Sequence, residues 1–252
     1  MNKEELKEIF KDYVFNNFDM NDNRISLKYY HSLRVMDIAN DISVNENFSK
    51  NDIELSNIIG LLHDYARFPQ WEKYKTYSDI NSIDHGDLGV ELLFNNNEIE
   101  KFNIKKDYYD EIYDAIKYHN KLDVIDNISV HNKLLCKLIR DADKLDIFYL
   151  FGIDISLFNE DNKDISDKVK KAFYNGNQID RRSVKSKNDN IILNLAMIFD
   201  LNFDYSYKFI KENKLIEKLW ERIIDKEKFK EYFEYIFKYV NERIERNVRN
   251  KI

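Results

Sequence analysis

An apolar helix that ends in two polar residues gives the first information about this fold: Asn57 to Trp71, "NIIGLLHDYARFPQW". Apolar residues recur here at three- and four-residue steps, the period of a helix with one buried face, at Leu55, Ile59, Leu62 and Ala66. His63 and Asp64 follow the apolar run directly, and Arg67 comes shortly afterwards. An imidazole and a carboxylate at the buried end of a helix indicate a polar site inside a helical protein.

The rest of the chain favours an all-α fold as well. Five glycines and one proline in 252 residues leave few of the turns that β-hairpins need. Segments with the helical period recur along the first part of the chain. The polar loops between them are rich in Asn, Asp and Ser, which are favourable N-caps. This pattern predicts helices near 3–17, 27–43, 52–65, 84–95, 106–120 and 130–149.

The pattern predicts two parts, a helical core at 1–150 and a helical extension packed on it at 151–252. After Gly152 the chain changes to polar stretches such as "NEDNKDISDKVKKAF" and then to further amphipathic helices. Within the core, the segment from Arg67 to Asp84 is predicted as a long loop. Its aromatic residues make it a candidate lid or pocket wall.

Composition and charge exclude several classes of protein. A net charge of -6 argues against a general nucleic-acid coat, since such binding requires clustered Lys and Arg. One cysteine, Cys136, cannot form an internal disulfide, and its apolar neighbours predict a buried residue. The opening "MNKEELKEIFKDYVF" lacks the apolar core of a signal peptide. No apolar run approaches the ~20 residues that span a bilayer, so we expect a soluble, cytoplasmic protein without a membrane partner.

Four histidines lie on the apolar stripes of four predicted helices: His31, His63, His85 and His119. Buried imidazoles need hydrogen bonds or a metal ion. Any one of them alone is more simply a hydrogen-bonded core residue. His131 also lies on such a stripe, but in the first turn of its helix, where a histidine caps the helix or faces solvent.

Carboxylates accompany these histidines and strengthen the case for a metal. Asp64 is next to His63, two aspartates flank His85, and "RDADKLD" follows on the helix after His119. Imidazoles and carboxylates without thiolates suit manganese, iron, magnesium or zinc at a catalytic site. They do not suit a thiolate-rich structural zinc site.

The order of these residues resembles the HD-domain superfamily of metal-dependent phosphohydrolases, an all-α fold with the signature His…His-Asp…Asp. The resemblance covers roughly residues 25–150. The phrases "LLHDYARF", "DHGDLGVELLF" and "IKYHN" are similar to the subgroup that adds two further histidines. It implies one or two divalent metal ions as cofactors.

The resemblance also implies the ligands. His31, His63, Asp64 and Asp143 would hold a first metal ion. His85 and His119 would hold a second, with Asp64 bridging the two. Asp143 is chosen from the motif, because on the helical wheel Asp146 projects closer to the centre of the stripe.

Four basic residues are predicted to bind the substrate. Arg67 stands where related phosphodiesterases have the Lys of a "His-Asp-x-Gly-Lys" run, a position that contacts the substrate phosphate. Arginine keeps the charge and offers a planar, bidentate clamp, whereas a proton-donating role of Lys does not carry over. The other three are Lys144, next to Asp143, and Arg181 and Arg182 in a basic turn of the extension, where a solvated loop is the simpler interpretation.

The predicted activity is hydrolysis of a phosphomonoester, a phosphodiester or a nucleotide pyrophosphate by a metal-activated water, with Asp64 and Arg67 as catalytic residues. The expected partner is a small phosphorylated molecule, with a nucleotide favoured. Asp84 is either a further acid or base or, more simply, a helix cap. Two alternatives remain open: a di-iron oxygenase of the same fold, which has the same ligand order, and a non-catalytic module that senses nucleotides.

Overall fold

The computed structural model of the chain describes residues 3–122, 124, 127–153 and 159–249, with the backbone alone at 247–249. All regular structure in these ranges is helical, and no strand occurs among them. The prediction of an all-α fold is therefore confirmed. None of the helices in these ranges has an apolar stretch long enough for a bilayer crossing.

Contacts within the chain divide it into two compact units, Met1–Asp143 and Lys144–Ile252. The predicted boundary at 150/151 stays a prediction. The helices of the first unit are α1 (Lys3–Asn17), α2 (Asn23–Asn45), α3 (Lys50–Leu62), α4 (Arg67–Tyr74), α5 (His85–Val90), α6 (Tyr109–Tyr118) and the first part of α7 (Val130–Ile153). Its core includes Cys136, buried as predicted, and burial raises the pKa of this thiol to about 12.

The second unit has its own buried core. Its helices after the end of α7 are α8 (Asp167–Tyr174), α9 (Lys187–Ala196), α10 (Asp204–Glu212), α11 (Leu215–Arg222) and α12 (Lys226–Arg249). Each turns apolar residues inward, among them Phe173 of α8, Leu195 of α9 and Phe233 of α12. Burial of these faces is what stabilises such amphipathic helices.

The segment predicted as a loop between Arg67 and Asp84 contains α4 and a 3-10 turn, Asp79–Asn81. The prediction of a loop was wrong for residues 67–74, which are helical. Pro69 lies in the first turn of α4, where its missing N–H would have no partner within the helix in any case. The helix ends at Tyr74, and the capping residue Lys75 adopts the left-handed conformation with φ 51°.

Candidate metal centre

A close crossing of α2 and α3 brings the first two histidines together. At this crossing Gly60 lies so near α2 that a Cβ atom on it would stand 2.7 Å from the Cα of Met36. The helices could not approach as closely with a larger residue. His31 on α2 and His63, which directly follows α3, then face each other with their Nε2 atoms 3.3 Å apart.

A second close crossing, between α5 and α6, brings the other two histidines together. A Cβ atom on Gly86 would lie 2.7 Å from Oδ1 of Asn120 and 3.0 Å from the carbonyl oxygen of Ile116. The Nε2 atoms of His85 and His119 consequently lie 2.9 Å apart.

Asp64 lies between the two histidine pairs and presents one carboxylate oxygen to each. Its Oδ2 is 3.4 Å from Nε2 of His31 and 3.7 Å from that of His63. Its Oδ1 is 3.4 Å from Nε2 of His85 and 3.7 Å from that of His119. Two sets of donor atoms, each compact enough to surround one ion, therefore share this carboxylate.

A second carboxylate, Asp143 of α7, faces the first histidine pair. Its Oδ1 lies 3.1 Å from Nε2 of His31 and 3.7 Å from that of His63. Its side chain is 22% exposed, whereas Asp64 is buried. Asp143 therefore stands where the centre meets solvent. Asp146, the alternative on the helical wheel, is also buried.

Hydrogen bonds at the outer ring nitrogens determine the tautomers of three histidines. In each case Nδ1 lies against an oxygen that can only accept a hydrogen bond, so Nδ1 carries the hydrogen. When the ring is neutral, the inward Nε2 therefore has a free lone pair. The acceptors are the carbonyl of Gly60 for His63 at 2.8 Å, the carbonyl of Ile116 for His119 at 2.7 Å and the carboxylate of Asp79 for His85 at 2.6 Å.

The charge states of these groups favour cation binding. Burial lowers the pKa of His63, and burial followed by repulsion from Arg67 lowers that of His85 to about 3, so both rings are neutral at pH 7. Burial alone would raise the pKa of Asp64, but Lys28 and the histidines hold it well below its ordinary value. The inward nitrogens of His63 and His85 are therefore neutral, and the Asp64 oxygens between them are ionised.

This arrangement fits a metal ion. Nε2 of His85, Nε2 of His119 and Oδ1 of Asp64 are three acceptors that converge on one point, which is unfavourable unless a cation lies between them. Two nitrogen ligands about 2.1 Å from one ion lie about 3 to 3.4 Å apart, depending on the angle between them, and the two Nε2–Nε2 separations are 2.9 and 3.3 Å. The residues present therefore suit a divalent ion with imidazole and carboxylate ligands.

Two cations border Asp64, and one of them was not predicted. Nζ of Lys28 lies 2.6 Å from Oδ2 of Asp64, in a side chain that is 16% exposed. Lys28 stands one helical turn before His31 on α2, so its position on the same helix face was the available signal. Its ammonium also lies 5.6 Å from the ring centroid of Tyr77.

Arg67 is the other cation beside Asp64. Its Nε lies 3.4 Å from Oδ1 of Asp64 and has no hydrogen-bond partner, while Nη1 donates to the side chains of Gln70 and Asp79 and to the carbonyl of Tyr77. Nη2 has no hydrogen-bond acceptor among the residues described. The guanidinium is thus held in place through Nη1.

Asp79 was also not predicted. Its carboxylate accepts from Nδ1 of His85, from Nη1 of Arg67 at 2.9 Å and from Nε2 of Gln70 at 3.0 Å. Burial opposes its ionisation, but His85 and Arg67 hold its pKa far below the ordinary value. Asp79 lies in the turn after α4, where no helical period marks a buried position. Asp84, by contrast, caps α5 and pairs with Lys121, which confirms the simpler interpretation of this residue.

The aromatic segment that includes α4 forms a wall of this centre. Trp71 donates from Nε1 to Asp22 at 2.7 Å, and the hydroxyl of Tyr77 donates to the carbonyl of Arg24 at 2.8 Å. Both bonds tie the segment to the N-terminal end of α2. Of the two roles predicted for it, these bonds favour a pocket wall.

The remaining predicted residues lie in other surroundings. Lys144 pairs with Asp200 at 2.5 Å within the second unit. Arg181 and Arg182 lie exposed in a 3-10 turn of the same unit, and Arg182 pairs with Asp180. Their contact with a substrate stays a prediction. His131 is 43% exposed and pairs with Asp52 at 2.8 Å, outside the centre.

Comparison with known families agrees with this geometry. Residues 29–147 match the model of the HD domain family. This part of the chain is an HD domain. HD domains are commonly metal-dependent hydrolases, and the six predicted ligands all fall within the matched residues. Lys28 lies just before them. No curated protein and no solved structure matched the chain.

Proposed function

We propose that this protein is a metal-dependent phosphohydrolase that acts on a phosphate ester or a nucleotide. The observation that carries the proposal is the shared position of Asp64. Its two oxygens each face a pair of inward imidazole nitrogens, at 3.4 to 3.7 Å. Two ions held by one bridging carboxylate are a recurrent arrangement for displacement at phosphorus.

His31, His63, Asp64 and Asp143 would hold the first ion, and Asp64, His85 and His119 the second. When bound, manganese, iron, magnesium or zinc supplies Lewis acidity, which polarises phosphoryl oxygens and lowers the pKa of water. The protein residues orient the donor atoms: Gly60, Ile116 and Asp79 each fix the ring of one histidine. Such outer partners are needed for strong metal binding.

Arg67 would bind the phosphoryl group. Its Nη1 is saturated by protein acceptors, so the guanidinium is oriented before the substrate arrives, and Nη2 is left to donate. A positioned donor stabilises the charge that develops on phosphoryl oxygens in the transition state. A cation beside the centre favours an anionic substrate over the dioxygen of the oxygenase alternative.

Lys144, Arg181 and Arg182 complete the proposal as further contacts to the phosphates of a nucleotide. Arg181 and Arg182 lie together on an exposed turn, and Arg182 is already paired with Asp180. An Arg181→Ala, Arg182→Ala double variant tests this part by itself. We expect a higher KM for nucleotide substrates and an unchanged KM for a small ester such as p-nitrophenyl phosphate.

The activity is tested with protein loaded with manganese and offered a panel of phosphomonoesters, phosphodiesters and nucleotides. We expect release of phosphate or nucleoside monophosphate by the wild type and by His131→Ala, but not by His63→Ala or Asp64→Ala. Equal activity of all four proteins would mean that a contaminant hydrolyses the ester. Substrate-dependent dioxygen consumption with iron would instead favour the oxygenase, and tight nucleotide binding without turnover would favour the sensing module.

A further inference from the structure

We propose that Lys28 competes with a metal ion for Asp64, and so sets the metal affinity at the first histidine pair. The inference rests on the metal centre of the proposed function, but it concerns binding and not turnover. Oδ2 of Asp64 is the oxygen that faces His31 and His63, and Nζ of Lys28 donates to this same oxygen at 2.6 Å.

The two halves of the centre differ in this respect. Oδ2 accepts a short, charge-assisted hydrogen bond from Lys28. Oδ1, which faces His85 and His119, lies 3.4 Å from Nε of Arg67, and this Nε donates to no acceptor. The ammonium should therefore oppose metal binding at the first half of the centre more than the guanidinium opposes it at the second.

A divalent ion bound by His31, His63 and Asp64 would share Oδ2 with the ammonium of Lys28. Two cations on one oxygen would lie only about 3 to 4 Å apart, where they repel each other strongly at the dielectric of a partly buried site. The Lys28 side chain is 16% exposed, so its flexible stem leaves the ammonium a route towards solvent. Metal binding at this half must displace the ammonium or tolerate the repulsion.

Lys28 also stabilises the protein through the same contact. Asp64 is buried, and Lys28 is the leading attractive cause of the low pKa of this carboxyl. Removal of the ammonium should therefore have two opposite effects. Without metal the buried carboxylate loses its partner and stability falls, whereas metal binding becomes tighter. A lysine that merely supports the fold would not increase the metal affinity when it is removed.

The test is calorimetric titration of Mn²⁺ into EDTA-treated, dialysed protein. We expect Lys28→Met to bind Mn²⁺ roughly tenfold or more tightly than wild type, since a neighbouring positive charge has been removed. The same protein without metal should unfold at lower urea concentration. Lys28→Gln, which keeps a hydrogen-bond donor without the charge, should show the same tightening, and it serves as the second variant if Lys28→Met does not fold.

Lys121→Met is the matched control. Lys121 also pairs with an aspartate at 2.6 Å and is similarly exposed, but its partner is Asp84 outside the ligand set. Its Mn²⁺ affinity should equal that of wild type. Repeating the titrations in a His85→Gln background restricts the comparison to the first half of the centre.

Equal or weaker Mn²⁺ binding by both Lys28 variants would overturn the inference, even if the enzyme hydrolyses phosphate esters. Tighter binding by both variants would support it, even if no ester on the panel is hydrolysed. A wild-type protein that binds no Mn²⁺, with variants that also bind none, would overturn both this inference and the proposed function.

Discussion

At the scale of single residues, the outer hydrogen bonds of the histidines determine what the centre can bind. His63 and His119 use backbone carbonyls as Nδ1 acceptors, whereas His85 uses the carboxylate of Asp79. A carboxylate partner raises the basicity of the ring more than a carbonyl does, and it also fixes Arg67 here. Asp79 thus links one half of the centre to the residue proposed to bind phosphate.

Asp79→Asn should weaken Mn²⁺ binding by roughly 10- to 100-fold, the usual effect of losing an outer carboxylate partner of a metal-bound histidine. The amide oxygen can still accept from Nδ1, but without the charge. Calorimetric titration measures the change. Asp87→Asn is the control, because Asp87 is exposed and pairs with Lys121. If Asp79→Asn binds Mn²⁺ as tightly as wild type, the outer carboxylate has no role in metal binding.

Arg67→Lys should lower kcat/KM for a phosphate ester by roughly 100-fold, close to the effect of removing one transition-state donor. Lysine keeps the charge, but it cannot donate hydrogen bonds to Gln70, Tyr77 and Asp79 and to a substrate at the same time. Steady-state kinetics measure this loss, with Arg182→Lys as the control. Full activity of Arg67→Lys would show that a point charge suffices at this position.

At the scale of elements, two glycine crossings bring the ligands together. Gly60 allows α2 and α3 to approach, and Gly86 does the same for α5 and α6. At each crossing one histidine lies on one helix of the pair, and the other directly follows the second helix. The π-helical turn Glu91–Asn95 directly follows α5.

Gly60→Ala should lower the free energy of unfolding by about 1–3 kcal/mol, the usual cost of inserting a methyl group into a packed core. The new Cβ would lie 2.7 Å from backbone atoms that cannot give way. Metal affinity should fall as well, since His31 and His63 would separate. Urea denaturation and Mn²⁺ titration measure both effects.

Gly152→Ala is the control for Gly60→Ala. Gly152 is also helical, but a Cβ there would meet only the side chain of Lys218, at an ordinary 3.4 Å. Alanine is a better helix former than glycine by about 1 kcal/mol. The control should be neutral or more stable than wild type. Equal stability of Gly60→Ala and Gly152→Ala would mean that the crossing is not tight.

At the scale of the whole molecule, folding buries ionisable groups that water solvates in the unfolded chain. His31, His63, His85, His119 and Asp64 are all at most 4% exposed. The lowered pKa values of His63 and His85 mean that folding keeps these two rings neutral. An unfolded chain binds protons on the same rings near their ordinary pKa of about 6.5.

Acid should therefore destabilise the EDTA-treated protein below pH ~6.5, which is the ordinary pKa of histidine. There the unfolded chain binds more protons than the folded protein, so the free energy of unfolding falls with falling pH, by up to about 1.4 kcal/mol per pH unit for each such histidine. The loss continues down to the lowered pKa, about 3 for His85. Urea denaturation at pH 7.5, 6.5 and 5.5 measures it.

His85→Gln should make this pH dependence less steep, because it removes one of the two rings. A stability that stays constant from pH 7.5 to 5.5 would contradict the neutral state of both buried rings.

The sequence by itself determined the all-α class, the order of the histidines and aspartates, and the helices on which, or just after which, they lie. Those properties depend on the spacing of apolar residues along the chain and on residue type, and both can be read directly from the sequence. The resemblance supplied Asp143, which the helical wheel did not favour. Cys136 was predicted as buried from its neighbours alone, and it is.

Only the tertiary structure decided the partners of these residues. Lys28 and Asp64 are 36 positions apart, and Asp79 reaches both His85 and Arg67 from a turn without helical period. The distances that matter depend on how closely α2 approaches α3 and α5 approaches α6, and thus on contacts between segments that no local pattern records. The helical period predicts which face of α2 carries Lys28. It does not predict that this face meets Oδ2 of Asp64, because that contact depends on how the helices cross.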